Sequence, residues 1–446
     1  MPPETSAGKG AISIVPVAVR KPDGTMHVRT DRPRPTSYTN GHAQEMTPEF
    51  VDRAPKLSVD TVVPFYQVAA ARTAVGVDGA NRERYRRRPI SEKLREQFEV
   101  DLDVQATPAL EANIHQAPFV SNVVRIERAK EFWKRGILLP DISGPYGFGR
   151  LLDMQDRQVL LGQEFAKLGR VNLVLDPIER TKEASKNSHA LEPEHRGTGS
   201  TVQIGGAVNQ EFLEIPTEEE GAFYADGITI DPVTASLLAK KGIESLLDIP
   251  KRDVLRLILE AHKERDPRLV EVVGLKRDRN RATLGGWESL GARVSTIPDG
   301  DLTHKLDVVT SNRMKAVVGS GGKEEAMVAL FGAKTQDDTE AGMPSFGEVR
   351  FVGKQGELVP GVSRVLTLNE VAPGRADSYF VVFASINGVP ELGMDRVSKA
   401  LVQGPEDSEP RPSMGSDYRV QVGTVTSRDR HIRKDLIPVT RNRLHH

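Results

Sequence analysis

Residues 171 to 175 read Val-Asn-Leu-Val-Leu, a strand-length apolar run that halts at Asp176 and Pro177, because proline offers no donor to a ladder. A second strand and turn are expected through 200–215, with the polar stretch 183–199 as the loop between them. The second half then alternates regularly. Its spacing predicts helices over 232–241, 251–263, 280–290 and 324–331, and strands over 269–275, 292–297 and 316–318, with later strands at 349–352, 378–384 and 419–425. Strands alternating with amphipathic helices imply layered α/β packing. The first part is less regular. Residues 1–57, rich in Pro, Thr, Asp, Arg and Gly, read as an extended or mobile arm. The basic run from Arg82 to Arg88 reads as a solvated surface turn, 125–134 as a helix ended by Gly136, and 144–150 as a glycine-rich loop.

A chain of 446 residues has room for two or three domains, or for one two-lobed fold with an extension. Lys plus Arg number 61 against 62 for Asp plus Glu, so no global field draws the chain to nucleic acid, and any attraction for an anion must be local. The absence of cysteine excludes disulfides, thiolate metal sites and cysteine nucleophiles. No apolar run approaches the roughly 18 residues of a membrane span. Glycines at 8 and 10 interrupt the only signal-like stretch, and the default compartment is cytoplasmic.

The candidate chemistry gathers in three places. Asp176-Pro177-Ile178-Glu179-Arg180-Thr181 brings two carboxylates and a hydroxyl to a strand end, a hard oxygen set suited to Mg²⁺ or Mn²⁺. Asp299 and Asp301 flank Gly300 after a strand expected to be buried, at the edge where α/β sheets collect ligands. Gly319-Ser320-Gly321-Gly322 leads into Lys323-Glu324-Glu325 at a helix start, where free amides, including that at Gly322, face an anion and Glu325 reaches a cation.

In this order the motifs resemble those of the class II fructose-1,6-bisphosphatases, within the lithium-sensitive, metal-dependent sugar and inositol phosphatase superfamily. The resemblance runs from about Arg125 to Lys434 and includes Gly291-Ala292-Arg293-Val294 before Ile297-Pro298-Asp299-Gly300-Asp301. It implies an α-β-α-β-α sugar phosphatase fold of two sheet-containing lobes, here with an N-terminal extension over 1–120, a first lobe over 121–215 and a second over 216–446. It also implies removal of phosphate from a sugar phosphate by metal-activated water. Asp176, Glu179 and Glu325 would bind the metal, Thr181 and Glu179 would act in catalysis, and Arg279, Asp299, Asp301 and Gly322 would bind substrate. The expected partners are a small sugar phosphate and further copies of the chain in a homo-oligomer, with neither nucleic acid nor membrane.

Several positions depart from the family pattern. The family carries Gly-Arg-Gly-Asp-Lys after its first helix, whereas Gly136 is followed by Ile137 and Leu138, with Asp141 the nearest acid. A Gly-Glu-Gly-Glu segment is replaced by Leu161-Gly162-Gln163-Glu164-Phe165, leaving Glu164. Arg180 stands where glycine is usual, Lys323-Glu324 replaces Ala-Pro, and Ala326 replaces glycine. The first two losses fall on a second metal site. The alternative expectation is therefore a non-catalytic or non-hydrolytic relative that binds a sugar phosphate or a protein.

Overall fold

A computed structural model of the chain describes residues 17–20, 26–29, 57–87, 92–114, 120–125, 170–187, 191–213, 215–243, 245–337, 347–399, 401–402, 411–412 and 417–440. Two sheets organise it. The larger is built from β1 (Val120–Arg125), β2 (Arg170–Glu179), β3 (Thr201–Val208), β9 (Tyr379–Ser385), β10 (Ser398–Lys399), β11 (Asp417–Thr426) and β12 (Arg433–Thr440). Its order is β10-β11-β9-β3-β2-β1, with β12 also paired to β11. Only the β1–β2 pair is parallel. The smaller sheet joins β4 (Tyr224–Ile230), β5 (Glu271–Leu275), β6 (Arg293–Ile297), β7 (Lys315–Gly321) and β8 (Gly347–Val352) in the order β8-β4-β7-β5-β6.

Helices fill the three remaining layers. On the outer face of the large sheet lie α1 (Val59–Arg87) and α2 (Glu92–Ile114). Buried Val62, Tyr66, Ala69, Ala70 and Val77 pack with Phe98, Leu102 and Leu110 over Leu173, Leu175, Ile204 and Phe380, and Tyr66 stacks on Phe380 with centroids 5.2 Å apart. Between the sheets run α7 (Leu302–Val309) and α8 (Lys323–Thr335). Val308 of α7 meets Val273 and Val317 on one face of the small sheet, while Leu284 lies against Gly274 on the other. That far face carries α4 (Pro232–Lys241), α5 (Lys251–Ala261) and α6 (Arg281–Ser289). A five-residue helix, α3 (Thr181–Ser185), follows β2 directly. The layer order is α-β-α-β-α.

Local sequence accounts for the regular elements. Helix α4 starts where the buried Asp231 side chain accepts from the amides of Val233 and Thr234 at 2.9 and 3.0 Å, has Pro232 in its first turn, and stops at left-handed Gly242. Helix α5 buries Val254, Leu255, Leu257 and Ile258 as one stripe.

Several readings change. The basic run at Arg82, placed in a turn by its charge, continues helix α1 as far as Arg87, because Val75, Val77 and their upstream neighbours supply a buried face beneath it. The strand before Asp299 is not buried in the sheet interior; β6 is an edge strand whose Arg293 and Thr296 are exposed. Within the N-terminal extension residues 59–114 form α1 and α2 against the large sheet, and that sheet draws strands from both sides of residue 215. The helix expected over 125–134 begins at Arg125, the last residue of β1; the rest of it, the 144–150 loop, Asp141 and Glu164 lie outside the described residues. No helix among the described residues is long and apolar enough to cross a membrane.

One buried acid in α2 carries a stability consequence. Glu111 is buried, its Oε1 has no hydrogen-bond partner, and burial pushes its carboxyl up to about 8. The folded chain therefore holds a proton that the unfolded chain releases near pH 4.5. Stability from this group is complete below that pH and falls as pH rises toward 8, by up to about 1.4 kcal/mol per unit. Glu111→Gln is expected to flatten this slope. Urea denaturation at pH 6 and 8 checks it, and an equal pH dependence in both proteins would refute it.

Candidate metal centre

Strand β2 ends in the carboxylate corner. Asp176 pairs across the ladder with Gln203, and the register shifts before Glu179 meets Thr201, a bulge that re-aims side chains at a sheet end. The Oδ1 atom of Asp176 accepts from the Ile178 amide at 3.1 Å, fixing the turn. From the opposite side α8 presents Glu325 in its first turn, where the positive end of the helix favours an anion. The structure thereby brings Asp176, Glu179 and Glu325 together, each buried, with one oxygen from each within 4.8 Å of the others.

Three acids so close require a counter-charge. Burial first, then Glu325 and Asp176, hold the Glu179 carboxyl well above its ordinary range. Neither oxygen of Glu179 has a hydrogen-bond partner, and the Oε1 of buried Gln203, on the strand facing Asp176, also lacks one. Orphaned buried oxygens are costly unless something binds them. A divalent cation fits this hard oxygen set. Gln203 carries no signal in the sequence, since one glutamine in an apolar run marks only itself.

Thr181, the first residue of α3, has its hydroxyl 2.8 Å from Asp103 Oδ1 and 3.0 Å from the Ile178 carbonyl, two acceptors for its single proton. Asp103 comes from α2, 78 residues away, and was not foreseen. Arg180, between Glu179 and Thr181, adopts left-handed backbone with φ 58°, a conformation that favours glycine. Its side chain turns away from the acids toward Gly300 and Glu391.

The expected substrate residues converge from the small sheet. Arg279 lies with its guanidinium 3.7 Å over the Tyr224 ring and donates to the Ser320 carbonyl at 3.2 Å. Asp301 is buried and paired with Lys305 at 2.7 Å, and Asp299, half-exposed, is paired with Arg277 at 2.7 Å. Gly322 is the N-cap of α8. Arg279 and the corner acids share one neighbourhood, for both Glu325 and Asp301 act electrostatically on Arg279. Gly300 closes the gap: with φ 53° it packs so tightly that a Cβ there would lie 1.9 Å from Glu179 Oε1.

Two sheets alternating with three helical layers, and acids gathered at a strand end in the gap between them, define the layered sugar phosphatase class. Residues 167–337 match the model of the family described as bacterial fructose-1,6-bisphosphatase, glpX-encoded. That match covers less than half of the chain and is consistent with a member of the class II fructose-1,6-bisphosphatase family, whose members are metal-dependent phosphatases acting on sugar phosphates. It contains every residue of the three motifs and leaves α1, α2 and the last strands of the large sheet outside. No curated protein matches the chain.

Proposed function

We propose that this chain is a metal-dependent hydrolase that removes phosphate from a sugar phosphate of the fructose 1,6-bisphosphate type. The observation that carries the reading is the convergence of Asp176, Glu179 and Glu325 with two orphaned Glu179 oxygens, beside a threonine whose hydroxyl lies 2.8 Å from an acid.

In this reading the three carboxylates hold one divalent ion, Mg²⁺ or Mn²⁺, which when bound supplies a Lewis acid for the phosphoryl group and makes water more acidic. The chain's own residues do the rest. With its hydroxyl 2.8 Å from Asp103 Oδ1, Thr181 is placed to orient a water for in-line attack on phosphorus. The water proton passes to Thr181 as the threonine proton moves to Asp103. Arg279, fixed by Tyr224 and Ser320, offers positive charge to a phosphate. The Gly322 turn and the polar end of α8 face the same anion, and Asp299 and Asp301 present acceptors to sugar hydroxyls. Lys305 and Arg277 hold those acids in place and offset their charge. The resemblance to the class II family further implies a homo-oligomer, with the cytoplasm as the default compartment.

Phosphate release from fructose 1,6-bisphosphate and a panel of sugar phosphates, with and without Mg²⁺ or Mn²⁺, tests the proposal. Metal-dependent release supports it. The sequence departures at Gly136-Ile137-Leu138 and Leu161-Gly162-Gln163 favour a second reading, a relative that binds sugar phosphate without hydrolysing it. Binding without release from any substrate would establish that reading and sink the first.

A further inference from the structure

We propose that Glu391 is a positioning residue of the metal corner, holding the Arg180 guanidinium away from the ion-binding carboxylate of Glu179. The inference rests on the reading that Asp176, Glu179 and Glu325 bind a divalent ion.

Arg180 directly follows Glu179, and its buried stem runs beside that carboxylate. A Cβ placed on Gly300 would meet Glu179 Oε1 at 1.9 Å and Arg180 Cγ at 2.8 Å. Beyond Cγ the side chain has two anions to choose between. It takes the farther one along the chain: Nη2 lies 3.1 Å from Glu391 Oε1, and both Nε and Nη2 donate to the Gly300 carbonyl at 3.2 Å. Glu391 is itself held, accepting from Thr303 Oγ1 at 2.5 Å with His304 Nε2 3.7 Å away. Both oxygens of Glu179 remain without a hydrogen bond.

A guanidinium is among the strongest partners a carboxylate can find. With an arginine adjacent in sequence, Glu179 keeps its oxygens for an ion only because another anion captures the charge. The surrounding backbone is cut for this path. Gly199, at φ 81°, leaves room where a Cβ would lie 1.8 Å from Arg180 Nη1, and the left-handed conformation of Arg180 directs the stem into that space. The same contacts fasten the Asp299-Gly300-Asp301 loop to the corner through the Gly300 carbonyl. Arg180 is thus an internal cation beside a cation site, harmless to it while Glu391 is charged.

The test is Mn²⁺ binding by the full chain, read from the free-ion paramagnetic resonance signal. Glu391→Gln keeps the shape and the acceptor for Thr303 but removes the charge; it is expected to weaken Mn²⁺ binding about tenfold as Arg180 swings to Glu179. Arg180→Gly should bind within about threefold of the parent while raising KM for fructose 1,6-bisphosphate, because the Gly300 loop loses its tether. The double variant should recover Mn²⁺ binding to within about threefold of the parent, an outcome that mere structural damage at Glu391 would not produce. Parent-like binding by Glu391→Gln, or a double variant as weak as Glu391→Gln alone, overturns the proposal and leaves the metal centre standing. If Asp176→Ala binds Mn²⁺ as the parent does, the metal reading beneath it falls instead.

Discussion

Asp176→Ala and Glu325→Ala are each expected to lower metal-dependent phosphate release by about a thousandfold or more, because each removes one of the three buried acids that converge at the corner. Loss of several kcal/mol of transition-state charge stabilisation gives a factor of about that size. The same substitutions should raise the melting temperature in the presence of a chelator. Asp176 and Glu325 both act on Glu179 to disfavour its charged form, so deleting either relieves repulsion in the ion-free protein. An ordinary folding defect would lower activity and melting temperature together. Divalent ion should stabilise the parent strongly and the variants weakly, following the mass-action stabilisation by a ligand of the native state. Activity within about tenfold of the parent in both variants would remove the corner from the mechanism.

The second half of the chain was legible because its elements are short, well capped and clearly periodic. Helix α4 was read with its bounds intact, since Asp231, Pro232 and Gly242 mark both ends chemically. The strand into Asp176 was visible as a run of buried apolar residues, but it does not halt at Pro177: β2 passes through the proline to Glu179 by way of the register shift. Strand β4 escaped notice because Tyr-Ala-Asp-Gly-Ile-Thr-Ile mixes small and charged residues, and its Asp226 is accommodated by an ion pair with Arg350 from the neighbouring β8. Helices α1 and α2 escaped because much of the buried surface of α1 is alanine, which hardly registers as apolar. Proline also interrupts both patterns, at Pro64 and Pro108. Burial beneath tertiary neighbours overrides those local signals.

The site divides along the same line. Its three ion-binding candidates lie within motifs whose spacing is local, so Asp176, Glu179 and Glu325 are legible in the sequence. Their supporting residues are not. Asp103 reaches Thr181 across 78 residues, and Glu391 reaches Arg180 from the turn that follows β9. Lys305 and Arg277, which neutralise Asp301 and Asp299, are ordinary charged residues in sequence. A strand end can be recognised from neighbours along the chain, whereas the partner that fixes a hydroxyl or diverts a guanidinium is a property of the folded layers. The departure at Arg180 was visible in the sequence; its direction was not, because it depends on the Gly199 and Gly300 surfaces that meet it.

Asp103 carries the second large effect. Asp103→Asn preserves size and an acceptor for the Thr181 hydroxyl, but an amide cannot take a proton. Phosphate release at saturating substrate should fall by about a hundredfold to a thousandfold, the scale of a lost general base, while Mn²⁺ affinity stays close to the parent's because none of the three converging acids is altered. Thr181→Val should match it, and the two changes together should cost little more than either alone, since both break one relay between water and carboxylate. Thr181→Ser, which keeps the hydroxyl, should retain most of the rate. The split between rate and affinity separates this role from packing: loss of the relay lowers kcat and leaves Mn²⁺ affinity, whereas loss of a purely structural hydrogen bond disturbs both. A kcat within about threefold of the parent in Asp103→Asn, or a matching loss of Mn²⁺ affinity, would return Asp103 to the role of a helix contact and leave Thr181 to orient water alone.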